Sequence, residues 1–148
     1  MQRFTQAQDS VCPGTHVSYY AKAIAELRQG QKSSHWMWFI FPQCAGLGGS
    51  EMSRRYAISS LAEARDYVSH PVLGPRLQEA TKMVIGIEGR TAREIFSSPD
   101  DLKFHASMTL FEAAAPKFPV FSAALAKYFS GRRHADTLRL LDIGDDGG

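Results

Sequence analysis

His35-Trp36-Met37-Trp38-Phe39-Ile40-Phe41-Pro42-Gln43 is the stretch on which the reading of this chain turns. Both tryptophans and two phenylalanines stand between His35 and Pro42. Each aromatic hides on the order of 150–250 Å² when buried, and natural surfaces rarely expose such a block. The segment is therefore core or the wall of a pocket, with His35 and Gln43 as polar groups at its two ends. Ser33 or Ser34 offers an N-cap and Pro42 a stop, so one reading is a buried helix, apolar on all sides. A buried strand has the same composition, and both readings stay open at this point.

On either side of this run, helix signals recur and no alternating strand pattern appears. Apolar spacing and stops predict helices over about 2–8, 17–29, 50–58, 60–69, 73–88, 91–96, 120–129 and 136–141. Gly30, Gly89 and Gly131 supply stops. Ser60 to Glu63 and Thr91 to Glu94 have the spacing of capping boxes. Ser98-Pro99-Asp100-Asp101 gives a cap, a first-turn proline and two first-turn acids. Asp136 is the expected cap of the last helix. The helix over about 99–115 is apolar on two faces: Phe104, Met108, Phe111 and Ala115 on one, Leu102, Ala106, Leu110 and Ala113 on the other. Such a helix lies between two layers. The expectation is all-α: a single compact domain over 1–141, of about seven to nine short helices around that central one. A tail over 142–148 is expected to be disordered.

Composition narrows the function classes. The length of 148 residues fits one domain, and 44% hydrophobic with 22% charged residues is ordinary for a globular one. A net charge of +2 announces no nucleic-acid surface. No run reaches the roughly 18 apolar residues of a membrane span, and the first residues are too polar to open a signal peptide. The expected compartment is the cytoplasm, so Cys12 and Cys44 read as free thiols. No cluster has metal-ligand spacing, and no cofactor is implied.

Candidate ligand-binding residues follow from chemistry. His35 either bonds the backbone beside the aromatic run or donates a proton at a pocket mouth. Trp36 and Trp38 are core or a stacking wall. Gln43, between Pro42 and a glycine-rich loop, reads a ligand amide or satisfies the loop. Gly46-Leu47-Gly48-Gly49-Ser50 leads into a helix carrying Arg54 and Arg55, an arrangement able to hold an anion. On the central helix, Lys103 and Ser107 share one polar seam, and His105, Thr109 and Glu112 the other. Lysine is seldom buried without a partner, so Lys103 snorkels outward or faces a polar cleft. Arg132-Arg133-His134 reads as solvated, and His16, His70 and His134 as incidental.

Several motifs then occur in an order that resembles a known family. They include Arg3-Phe4, Glu26-Leu27, Gly30, Lys32, His35 through Gln43, Gly46-Leu47-Gly48, Tyr56-Ala57-Ile58, His70-Pro71, Asp101-Leu102-Lys103, Ser107 through Phe111, and Tyr128-Phe129. The chain resembles the bacterial family catalogued as domain of unknown function 1810 over nearly its whole length. Some members carry a calpastatin-like label, which nothing in this chain supports. The resemblance implies a small, mostly helical, intracellular single domain and no established activity. Phe104-His105-Ala106 departs from the family pattern, in which a basic residue and a serine tend to fill the last two places. A more distant likeness, in size and make-up alone, is to enzymes acting on ADP-ribose linkages.

Three functions remain after this reading. One is a helical domain binding a small anionic, ring-containing ligand in an aromatic-walled pocket. A second is an enzyme processing a nucleotide or ADP-ribose linkage, with His35 or Glu112 acting and Lys103 as electrostatic support. The third is a protein–protein interaction module with no ligand.

Overall fold

The computed structural model describes residues 1–143. Over them the chain is all-α. The helices are α1 (Gln2–Asp9), α2 (Tyr19–Arg28), α3 (Met37–Ile40), α4 (Glu51–Arg55), α5 (Leu61–Ser69), α6 (Leu73–Ile85), α7 (Ala92–Phe96), α8 (Asp100–Ala114), α9 (Pro119–Phe129) and α10 (Ala135–Leu141). Ten helices rather than seven to nine result when the shortest turns, α3, α4 and α7, are counted. Extended pairing among the described residues is limited to two isolated bridges, Val11 with Ser18 and Cys44 with Ile58.

α8 is the central element, packed against α5, α7, α9 and α10. Its Phe104, Ala106, Ser107, Met108, Thr109, Leu110 and Phe111 are all buried, as a two-faced helix requires. Leu102, at the first turn, is exposed instead. The aromatic run supplies the other half of the core. Trp36 and Phe41 are fully buried. Phe41 meets Phe104 edge-on at 5.0 Å and Phe96 at 6.0 Å, and Phe96 stacks on Phe104 at 4.8 Å. These are the offset and edge geometries that aromatic quadrupoles favour.

The run itself makes a single helical turn, Met37–Ile40. Neither Ser33 nor Ser34 caps it: Trp36 holds the N-cap position with no side-chain bond. Both serine amides point instead at the carboxylate of Glu26. The turn closes with Phe41 N donating to Met37 O at 3.0 Å, and Pro42, lacking an N–H, ends it.

Several helix ends differ from their sequence readings. α6 stops at Gly86, whose backbone stays right-handed, three residues before the left-handed Gly89. The Thr91–Glu94 capping box is complete. At Ser60 only half a box forms, because Glu63 accepts from Ser59 N rather than from Ser60 N. α8 begins without a side-chain cap from Ser98. Asp136 does not cap α10; the His134 ring does, its Nδ1 accepting from Thr137 N at 3.3 Å. His70 acts alike, its Nδ1 accepting from Val72 N and Leu73 N at 3.1 and 3.2 Å. A neutral imidazole nitrogen accepts such a bond as a serine oxygen does, so these two histidines are structural rather than incidental.

The expected tail over 142–148 falls outside the described residues from position 144 onward. Asp142 and Ile143 close α10, with Ile143 N donating to Leu138 O at 2.9 Å. Among the described residues no helix is long and apolar enough to cross a membrane. Cys12 and Cys44 are both free and buried.

Candidate functional site

The chain leaving the aromatic run is fixed by two backbone bonds. Ile58 N donates to Gln43 O and Ala45 N to Ile58 O, each at 2.8 Å. This bridge sets the segment from Gln43 to Gly46 beside Tyr56 and Ala57. Gly46 takes φ +100°, a region that L side chains rarely adopt, and its Cβ position lies 3.1 Å from Leu140 Cδ2. The glycine thus lets the loop turn directly under α10. A side chain at Gly48 would collide with Ser53 Oγ.

A cavity of about 120 Å³ opens here, lined by Trp38, Gln43, Cys44, Gly46, Gly48, Ser53, Arg54 and Tyr56 among others. It gathers an indole, a primary amide, a phenol and a guanidinium. The indole Nε1 of Trp38 is buried without a hydrogen-bond acceptor among the described residues, which is uncommon for a buried donor. One Arg54 nitrogen donates to the Gly49 carbonyl. Cys44 adds no nucleophile: burial raises its thiol pKa, which keeps it protonated at neutral pH.

The other sequence candidates divide into separate places. Arg55 is exposed and does not line the cavity; its carbonyl accepts from Arg3 Nε at 3.0 Å. His35 is exposed. Trp36 is fully buried and presents no face to a ligand. Its Nε1 donates to Glu26 Oε1 at 2.9 Å. Glu26 also accepts from Ser33 N at 2.7 Å, Ser34 N at 2.9 Å and Ser34 Oγ at 2.5 Å. Burial by itself would raise its pKa, but these four bonds outweigh it and hold the carboxyl below the ordinary glutamate value.

Lys103 does not face the cavity as a free cation. Its ammonium lies 3.3 Å from Asp100 Oδ1, one turn back on α8, and 5.0 Å above the Trp38 ring. Lys32 reaches the other oxygen of Asp100 at 2.8 Å and lies 5.1 Å from the Trp36 ring. One carboxylate thus holds two lysines, each stacked on one tryptophan of the aromatic run. Ser107 is fully buried, and its Oγ has no partner among the described residues.

The second seam of α8 fastens the segment before α10. His105 Nε2 lies 2.8 Å from the Arg132 carbonyl, Thr109 Oγ1 accepts from His134 N at 2.9 Å, and Glu112 takes Arg133 through two bonds of 2.7 Å. Arg133 and His134 are therefore engaged rather than solvated. Sequence reasoning missed Glu26, Asp100, Cys44 and Tyr56. For Glu26 a signal existed: an acid on α2 between Ala23, Ile24 and Leu27, all buried. For Tyr56 none did, because a long-range backbone bridge brings it to the cavity. No group of three or more His, Cys, Asp or Glu residues able to hold a metal occurs among the described residues.

The chain belongs to the family described as protein of unknown function DUF1810, whose model matches residues 1–141. It is similar to the conserved hypothetical protein Rv1873 from Mycobacterium tuberculosis, known from a crystal structure. The TM-score is 0.88 at 47% identity, covering 97% of this chain and 96% of that one. No curated protein matches the chain.

Proposed function

We propose that this chain is a helical ligand-binding domain whose cavity between Trp38, Gln43, Arg54 and Tyr56 takes a small anionic, ring-containing ligand. One observation carries the reading: residues from the aromatic run, the loop after it and α4 line a single cavity with complementary chemistry. The indole and phenol rings offer stacking faces. The guanidinium has donors beyond the one given to Gly49, and such a fork suits a carboxylate.

Size selects among anions. About 120 Å³ is well under the roughly 300–1,000 Å³ of typical drug-sized pockets. It is close to the about 150 Å³ cavity that holds benzene. A single ring occupies this volume with its acid group at the mouth, beside the exposed Arg54, whereas a nucleotide would lie mostly outside it. The enzymatic alternative gains no support from the placement of its residues. Lys103 and Glu112 stand nine residues apart on α8, roughly 14 Å along the axis. Each is in its own ion pair, and His35 is exposed.

A melting-temperature screen of benzoate, AMP and ADP-ribose against the wild type and Arg54→Ala tests the proposal. A ligand at about 100 times its Kd stabilises by about 2.7 kcal/mol, or roughly 5–10 °C here. Benzoate is expected to stabilise the wild type, and Arg54→Ala to remove most of the effect. Stabilisation by ADP-ribose alone would favour the enzymatic reading, and no stabilisation by any of the three would sink the proposal.

A further inference from the structure

A second hollow lies away from this cavity, between α5 and the connection from α8 to α9. Its volume is about 300 Å³, enough for a molecule of drug-like size. The reason for the hollow is visible in the sequence. Ala114 and Ala115 end α8 with side chains one carbon long, and Pro116 follows. Val68 of α5 and the half-buried Phe118 complete an apolar floor.

The rim is charged with one sign. Arg65 stands three residues before Val68 and four before Ser69, so all three share one face of α5. Its Nε donates to Ala114 O at 3.3 Å, which holds the guanidinium at the edge of the hollow with its other donors unassigned. Lys117 lines the same hollow, its ammonium 5.6 Å from the Phe118 ring. Among the described residues no acidic side chain lines the hollow. Neither Arg65 nor Lys117 makes an ion pair among the described residues. The C-terminus of α8 draws both cations, since Arg65 reaches the carbonyl of its last residue, Ala114, and Lys117 follows two residues past its cap, Ala115. That attraction is partial, and no carboxylate among the described residues completes it.

We infer that this cleft is a second binding site, for an amphipathic carboxylate: an aliphatic tail on the floor formed by Val68, Ala115 and Phe118, with the acid between Arg65 and Lys117. The inference does not depend on the first cavity. Two cations facing one apolar floor, with no acid to neutralise them, fit an anion on an apolar body better than a neutral ligand or a bare anion. A neutral ligand would leave the charges unused, and a bare anion would leave the floor wet.

Titration of the full chain with octanoate, followed residue by residue through amide NMR shifts, tests this. Saturable shifts are expected at Val68, Ser69, Ala115 and Phe118. Octanamide, with the same tail and no charge, should bind about tenfold more weakly, the factor of one charge-assisted bond. Arg65→Gln should weaken octanoate to a similar degree. Because that change also removes the bond to Ala114, Lys117→Gln serves as the variant that breaks no hydrogen bond or ion pair, and a loss of about threefold or more is expected there. Three results would overturn the inference: shifts that do not saturate, equal affinity for octanoate and octanamide, or indifference to Lys117→Gln. Shifts at Trp38, Gln43 and Tyr56 instead would also overturn it, while placing the anion in the first cavity. Failure here with benzoate binding intact leaves the proposed function standing.

Discussion

Removing Glu26 should damage the protein about as much as truncating a buried core aromatic. Its carboxylate side chain is 6% exposed and serves four donors from Ser33, Ser34 and Trp36. Glu26→Ala leaves the Trp36 N–H fully buried and unpaired, and two backbone N–H groups partly so. A buried donor without a partner costs about 1–3 kcal/mol. The Trp36 donor takes the full figure, while the serine amides recover part of theirs from water. The sum is about 4 kcal/mol, which at 2–4 °C per kcal/mol for a chain of this size lowers Tm by roughly 8–16 °C. Glu26→Gln is the sharper probe. An amide oxygen can still accept from the two serine amides and Trp36, and the Ser34 hydroxyl can turn to accept from the new NH₂. Charge assistance and the 3.9 Å pairing with Lys22 are lost, so about 1–2 kcal/mol is expected. The pH dependence carries the sign. The folded carboxyl lies below its unfolded value, so its contribution is complete above the ordinary glutamate range. It is lost as pH falls through the depressed folded value. Glu26→Gln should accordingly flatten that part of the acid limb. Thermal melts of the three proteins between pH 3 and 7 decide it, and Glu26→Ala melting within about 2 °C of wild type would refute the reasoning.

Trp36→Ala should cost about 3–5 kcal/mol by calorimetry, since the ring is fully buried, whereas Trp36→Phe should cost clearly less. Lys103→Met should lower stability by only about 1 kcal/mol in urea melts. Its ammonium is partly exposed, and Asp100 keeps Lys32 at 2.8 Å; a loss above about 3 kcal/mol would mean that Asp100 depends on it. Burial lowers the pKa of both His105 and His134, and His105 adds to the effect on His134, opposed by Asp136. The neutral rings therefore stabilise the fold fully above the ordinary histidine value, and that contribution is lost as pH falls below it. His134→Asn keeps an N-cap acceptor without the titration. Its Tm should fall less than the wild type's between pH 7.5 and 5, and parallel curves would remove His134 from the account.

Much of the fold was legible because helix periodicity and caps are local signals. The two apolar faces of α8 identified the central helix, and Thr91 with Glu94 formed the full box that their spacing implied. The aromatic run was legible as core but not as helix or strand, since both bury the same residues. Caps by His70 and His134 were missed because histidine rarely serves as one. Lys103 was expected to reach solvent, a ligand or an acid from another helix, and instead it closed on Asp100 of its own helix. The site was legible in part. Trp38, Gln43 and Arg54 meet, but the loop's glycines serve packing against Ser53 and Leu140 as much as any anion. Glu26 was marked only as an acid among buried apolar neighbours, with its partners seven to ten residues on left unread, and Tyr56 reaches the cavity through a backbone bridge that no local pattern encodes.

The most direct measurement is a crystal structure of the chain soaked with the ring carboxylate that stabilises it most. The account predicts density for the ring between Trp38 and Tyr56, with its acid group against the Arg54 guanidinium. An empty cavity at a concentration that saturates the melting shift, or a ligand seated elsewhere on the molecule, would contradict it.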